Sequence, residues 1–117
     1  MYTSKIGSAQ FEKAARQLAT VLSRYSNVKE VKCEKCTSFD IFNRDSYNMQ
    51  VSLDHCSEVF NFYVNDETCT CDDYDRGMDV NLVDEYGNIE KSFGLSCDCP
   101  GIAALHIMRY FSKNHII

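Results

Sequence analysis

Hydrophobic and polar positions alternate along the chain with periods that change from segment to segment. In residues 8–26, Phe11, Ala15, Leu18, Leu22 and Tyr25 recur at spacings of four and three, while Glu12, Arg16, Gln17 and Arg24 fall elsewhere. That is the period of an amphipathic helix. Ser8 suits its N-cap, and Ser26-Asn27 suits its exit. Strands are expected next. Ser38–Phe42 is a short candidate, followed by a turn at Asn43–Ser46. Tyr47, Met49, Val51 and Leu53 alternate with Asn48, Gln50, Ser52 and Asp54, the period of a half-buried strand. Glu58–Val64 follows, with Phe60, Phe62 and Val64 on one side. A second hairpin is expected from Asp79–Val83 and Ile89–Phe93 around Glu85-Tyr86-Gly87-Asn88.

Pro100–Ser112 reads as a second helix with proline in its first turn. Its apolar positions, from Ile102 through Phe111, surround the axis almost completely and predict burial on all sides. No internal repeat or low-complexity linker divides the chain. The expectation is one α+β domain over residues 1–117: an N-terminal helix, an antiparallel sheet of hairpins and a C-terminal helix.

At 117 residues one domain is the expectation, and a second full domain is not expected. The 44% hydrophobic and 25% charged residues exclude a wholly disordered chain. No apolar run reaches the roughly 18 residues needed to cross a bilayer. Lys5, Glu12, Lys13 and Arg16 interrupt the region where an export signal would have its apolar core. The expectation is therefore an intracellular protein of nucleus or cytoplasm, with no membrane partner. Net charge is −5, split into +4 over residues 1–36 and −9 over the remainder. A uniformly basic nucleic-acid surface is excluded. The positive charge near the N-terminus makes Arg16, Arg24, Lys29, Lys32 and Lys35 candidate phosphate contacts, with solvation of the surface as the competing role. The acidic balance equally suits a protein partner.

Seven cysteines change the picture most. Six form close pairs: Cys33-Glu-Lys-Cys36, Cys69-Thr-Cys71 and Cys97-Asp-Cys99. Cys56 follows His55 directly. An odd count leaves one thiol over in any full set of disulfides, and clustered intracellular cysteines are more often metal ligands. Close pairs each supply two corners of a zinc tetrahedron at little loop entropy. An antiparallel meander whose first strand is Ser38–Phe42 sorts the thiols into two sites. One is Cys69, Cys71, Cys97 and Cys99. The other is Cys33, Cys36 and Cys56, with His55 as a candidate extra ligand and a buried free thiol as the competing role for Cys56. His106, two helical turns beyond Cys99, is a further candidate ligand or a plain helix-surface histidine. Structural zinc contributes on the order of 10–16 kcal/mol in small peptides, comparable to a whole domain's stability of about 5–15 kcal/mol. The acidic run around residues 66–79 does not fit a calcium loop. Counting back from Gly77, the required oxygen-ligand positions hold Asp72, Tyr74 and Arg76.

The stretch F-Y-V-N-D-E-T-C-T-C-D-D-Y, then G-L-S-C-D-C, then the apolar helix I-A-A-L-H-I-M-R-Y-F resembles a SWIM-type zinc finger over residues 60–112. In that family a strand leads into Cys-x-Cys, and after a spacer Cys-x-His opens a hydrophobic helix. By resemblance Cys69 and Cys71 supply the first pair and Cys97 the third ligand. Cys99 stands where the family has histidine, and the spacer is 25 residues long. The resemblance implies a zinc-anchored C-terminal helix and a DNA- or protein-binding module.

Catalytic readings find less support. Cys33-x-x-Cys36 beside Lys32 and Lys35 is the alternative of a thiol redox protein, but it lacks the βαβ context of such motifs. Four cysteines around one ion leave no open position for catalytic water. No glycine-rich phosphate loop is present, and no small-molecule substrate is evident. A non-enzymatic zinc module is the expected function. A disulfide-held, cysteine-rich secreted or viral effector is the alternative from another class.

Overall fold

The computed structural model describes residues 4–36, 46–66 and 77–117, with the backbone alone for residues 4–10. Helix α1 spans Ser4–Ser23, followed by strands β1 (Val28–Lys35), β2 (Ser46–Leu53), β3 (Val59–Asp66), β4 (Gly77–Val83) and β5 (Ile89–Ser96), and helix α2 (Pro100–Lys113). The strands form one antiparallel sheet in the order β1-β2-β3-β4-β5. The α+β architecture with a helix at each end of the chain is as the periodicities predict.

Both helices lie on one face of the sheet. Phe11, Ala15, Leu18 and Leu22 of α1 are fully buried, so the four-three spacing is the core-facing stripe. They meet the inward positions of the sheet: Tyr47, Met49 and Val51 of β2, Phe62 and Val64 of β3, and Val80 of β4. Phe11 sits against Tyr47 with ring centroids 5.5 Å apart. Phe111 of α2 packs on Phe60 at 5.0 Å and on Phe62 at 6.1 Å, which pins the end of α2 to β3. Tilted and edge-on pairs of this kind add to the burial of the rings themselves.

Helix α1 begins four residues before the expected boundary, so Ser8 lies inside it. Helix α2 is buried on one side only, through Ala103, Ala104, Ile107, Met108 and Phe111. Ile102 and Leu105 are exposed, because nothing in the fold covers the outer side of a helix laid on a sheet.

The opposite face of the sheet is mostly polar, with Val59, Tyr63 and Val83 among its apolar positions. One row crosses all five strands as Glu34, Asn48, Tyr63, Asn81 and Ser92. Side chains on this face bridge neighbouring strands. Gln50 Nε2 donates to Asn61 Oδ1 at 3.2 Å, Ser46 Oγ to Asn65 Oδ1 at 2.8 Å, and Ser92 Oγ to Asn81 Oδ1 at 2.7 Å. Cross-strand pairs of this sort hold register where no core does.

The β4–β5 turn is organised by Asp84. Its carboxylate accepts from the Asn88 N–H at 2.8 Å and the Tyr86 N–H at 2.9 Å. These donors hold the carboxyl below its ordinary range, the Asn88 amide most of all. Gly87 takes φ +87°, a region that residues with a Cβ rarely adopt.

The expected strand Ser38–Phe42 lies outside the described residues. The strand that does open the sheet is β1, whose sequence V-K-E-V-K-C-E-K is mostly charged. A register shift between Val28 and Glu30 breaks its two-residue alternation.

Candidate functional site

Antiparallel pairing defines two ends of the sheet. Lys35, Ser46, Asp66, Gly77 and Ser96 lie at one end, through the pairings Lys35↔Tyr47, Ser46↔Asn65, Asp66↔Met78 and Gly77↔Ser96. Val28, Leu53, Val59, Val83 and Ile89 lie at the other.

Cys97 and Cys99 occupy the link from β5 to α2, at the first of these ends. Cys97 is buried against the core, whereas Cys99 is exposed. Cys97 lines a hollow of about 240 Å³ with Asp98 and with Lys13, Ala14 and Gln17 of α1. Asp98 donates its N–H to Ser96 Oγ at 3.1 Å, shaping the link. Cys99 is the N-cap of α2, and its side chain makes no capping hydrogen bond. Pro100 follows as the first helical residue, where its missing N–H costs nothing. Cys69 and Cys71 lie outside the described residues, in the connection between Asp66 and Gly77. The described strands that flank this connection open at the end where Cys97 and Cys99 stand.

The grouping of Cys33, Cys36 and Cys56 with His55 is corrected by the topology. Cys33 lies within β1 opposite Met49, and the Cys36 N–H donates to the Ser46 carbonyl at 2.9 Å. Cys56 follows Leu53, to whose carbonyl its N–H donates at 3.4 Å, at the far end of β2. Four residues of strand, about 13 Å, separate the Met49 and Leu53 levels. Because Cys33 lies in β1 and Cys36 directly follows it, a meander starting at β1 places the pair at the end of the sheet away from the His55-Cys56 turn. Among the described residues no three His, Cys, Asp or Glu side chains gather as a metal site. His106 is an exposed residue of α2, two turns from Cys99, and faces a different cleft.

Burial pushes the Cys33 thiol above its ordinary value, with the neighbouring Cys36 adding to the effect and the Arg16 guanidinium opposing it. Burial raises the Cys36 thiol too. Cys33, Cys36, Cys56 and Cys99 carry free thiols.

The five N-terminal cations do not share one surface. Arg16 lies on α1, paired with Glu12 at 3.3 Å and with its guanidinium carbon 5.4 Å from the centre of the Tyr47 ring. Lys32 faces the polar side of the sheet between Glu30 and Glu34 of the same strand. Lys35 pairs with inward-facing Tyr47 on the helix side. Lys29 sits at the register shift, and Arg24 follows the end of α1.

Two further clefts went unnoticed in the sequence. One, of about 460 Å³, is bordered by Glu58, Asp84, Glu85 and Glu90 with Val59 and Phe60. The other, of about 440 Å³, is lined by Lys91, Phe93, His106, Arg109, Tyr110 and Lys113. Its signal was present in α2, where His106, Arg109 and Lys113 recur at three and four residues and so share a side. Only the register of β5 adds Lys91 to them. Comparison with family models, with curated proteins and with solved structures finds no match.

Proposed function

We propose that this chain is a non-enzymatic zinc-binding module of SWIM-like type that mediates contacts with a macromolecule, protein or nucleic acid. Zn2+ would be held by Cys69, Cys71, Cys97 and Cys99. The observation that carries this reading is the junction of β5 with α2. There Cys97 and Cys99 stand at the end of the sheet where the strands flanking the Cys69-Cys71 connection also open. Cys69 is three residues beyond Asp66 and Cys71 six before Gly77. At up to about 3.5 Å per residue, these tethers are long enough for four thiolates to meet beside Ser96.

The electrostatics of α2 agree. Its N-terminus carries no acidic residue in the first turn and no side-chain cap. A tetrathiolate zinc centre has net negative charge, which the positive end of the helix dipole favours. The metal would supply a cross-link between sheet and helix, with all four positions closed to water. Thiolate ligation suits a reducing compartment, nucleus or cytoplasm. No described helix is long and apolar enough to cross a membrane.

The test is elemental analysis of protein purified under reductant and then dialysed. One zinc per chain, lost on Cys97→Ser with Cys99→Ser, is expected. Metal-free protein with an unchanged far-ultraviolet spectrum would overturn the reading. So would an intact mass that rises on reduction, which marks disulfides and hence the cysteine-rich effector instead.

A further inference from the structure

We propose that the cleft between β5 and α2, lined by Lys91, Phe93, His106, Arg109, Tyr110 and Lys113, is a binding site for single-stranded nucleic acid. The inference deepens the binding-module reading above by naming the surface and the partner. Three permanent cations and a histidine converge there without a carboxylate in the lining, on a chain whose net charge is −5. Lys32 stands between two glutamates, and Arg16 is paired with Glu12.

The cleft also presents an aromatic pair. Phe93 is buried and meets Tyr110 edge-on at 5.8 Å, so it fixes the ring of the more exposed Tyr110. Lys91 Nζ lies 5.7 Å from the Phe93 centroid, which keeps its charge at the wall. Cations that track a phosphate backbone, beside an aromatic ring for a base, are the general pattern of single-strand binding. A volume of about 440 Å³ is within the range of small-ligand sites and admits an unstacked base. The concave shape selects against a duplex, whose bases are stacked inside. An acidic peptide would engage the cations and leave the Tyr110 ring unused. His106, Arg109 and Lys113 span about 10 Å along α2, enough for more than one phosphate.

Fluorescence anisotropy of a short labelled oligothymidylate tests this at about 50 and 200 mM salt. With three phosphate contacts and a slope of about −0.7 per contact, affinity should weaken about 20-fold across that range. Arg109→Gln with Lys113→Gln should lower affinity at least tenfold and reduce the salt effect to about threefold. Lys32→Gln removes one charge from the polar side of β1, away from the cleft, and should change neither quantity. Tyr110→Leu should lose about tenfold with the salt slope intact. Should that variant fail to fold, Lys91→Gln serves in its place, with a several-fold loss and a shallower slope. Absence of binding at low salt overturns the proposal. So does duplex DNA or a polyglutamate peptide binding as tightly as the single strand, or an equal loss in Lys32→Gln. Zinc content, unchanged in these variants, keeps the result separate from the metal reading.

Discussion

Phe111→Ala probes how α2 is held to the sheet. Phe111 is fully buried, with ring centroids 5.0 Å from Phe60, 6.1 Å from Phe62 and 6.2 Å from Tyr110. Truncating a buried phenylalanine costs about 3–5 kcal/mol through lost transfer energy and the cavity left behind. Each favourable ring pair adds roughly 0.5–1.5 kcal/mol beyond burial, and three pairs place this site toward the upper end of that range. Against a domain stability of about 5–15 kcal/mol, the loss is a large fraction of the total. With a urea dependence of about 1–3 kcal/mol per molar, the midpoint should fall by roughly 2 M. Leu105→Ala, on the exposed side of the same helix, should cost under about 1 kcal/mol. Both are read from urea melts followed by circular dichroism, with metal content held equal. A Phe111→Ala loss below about 1 kcal/mol, or equal losses at the two sites, would refute the placement of α2 on β3.

Other outcomes follow from local features. Gly87→Ala forces a Cβ onto a backbone at φ +87° and should cost about 1–2 kcal/mol in thermal melts, while Gly87→Asn should cost less; equal stability of all three proteins contradicts the turn geometry. The raised Cys33 thiol stabilises the fold while neutral, an effect complete below the ordinary thiol range and lost as pH rises through the higher folded value. Stability of the reduced protein should therefore fall more between pH 7 and about 10 than that of Cys33→Ala; parallel losses would show that the thiol is not desolvated.

The sheet was legible where one side is buried and the other wet. Tyr47, Met49, Val51 and Leu53 alternate with polar residues because the helices cover one side only, and that alternation is what the eye reads. β1 was not legible, since an edge strand places few residues in the core and its register shift erased the remaining period. That single miss had a chemical consequence, because it inverted the end at which Cys33 and Cys36 were expected. Helix α2 misled in the other sense. Its apolar composition predicted complete burial, yet Ile102 and Leu105 face outward, since composition does not say how many neighbours a helix has. Cys97 and Cys99 were legible as a pair beside a helix start. The basic cleft was not, because Lys91 joins His106, Arg109 and Lys113 through tertiary packing that no local spacing encodes.

In the serial sheet order each strand is bonded to its neighbour along the chain. Such a sheet can zip together one hairpin at a time, with short loop closures at each step and a correspondingly low entropic barrier. The two helices belong to opposite ends of the polypeptide, yet share the same side of the finished sheet. Their contact couples the first element of this fold to the last across the same core, so loosening either helix exposes apolar surface beneath both.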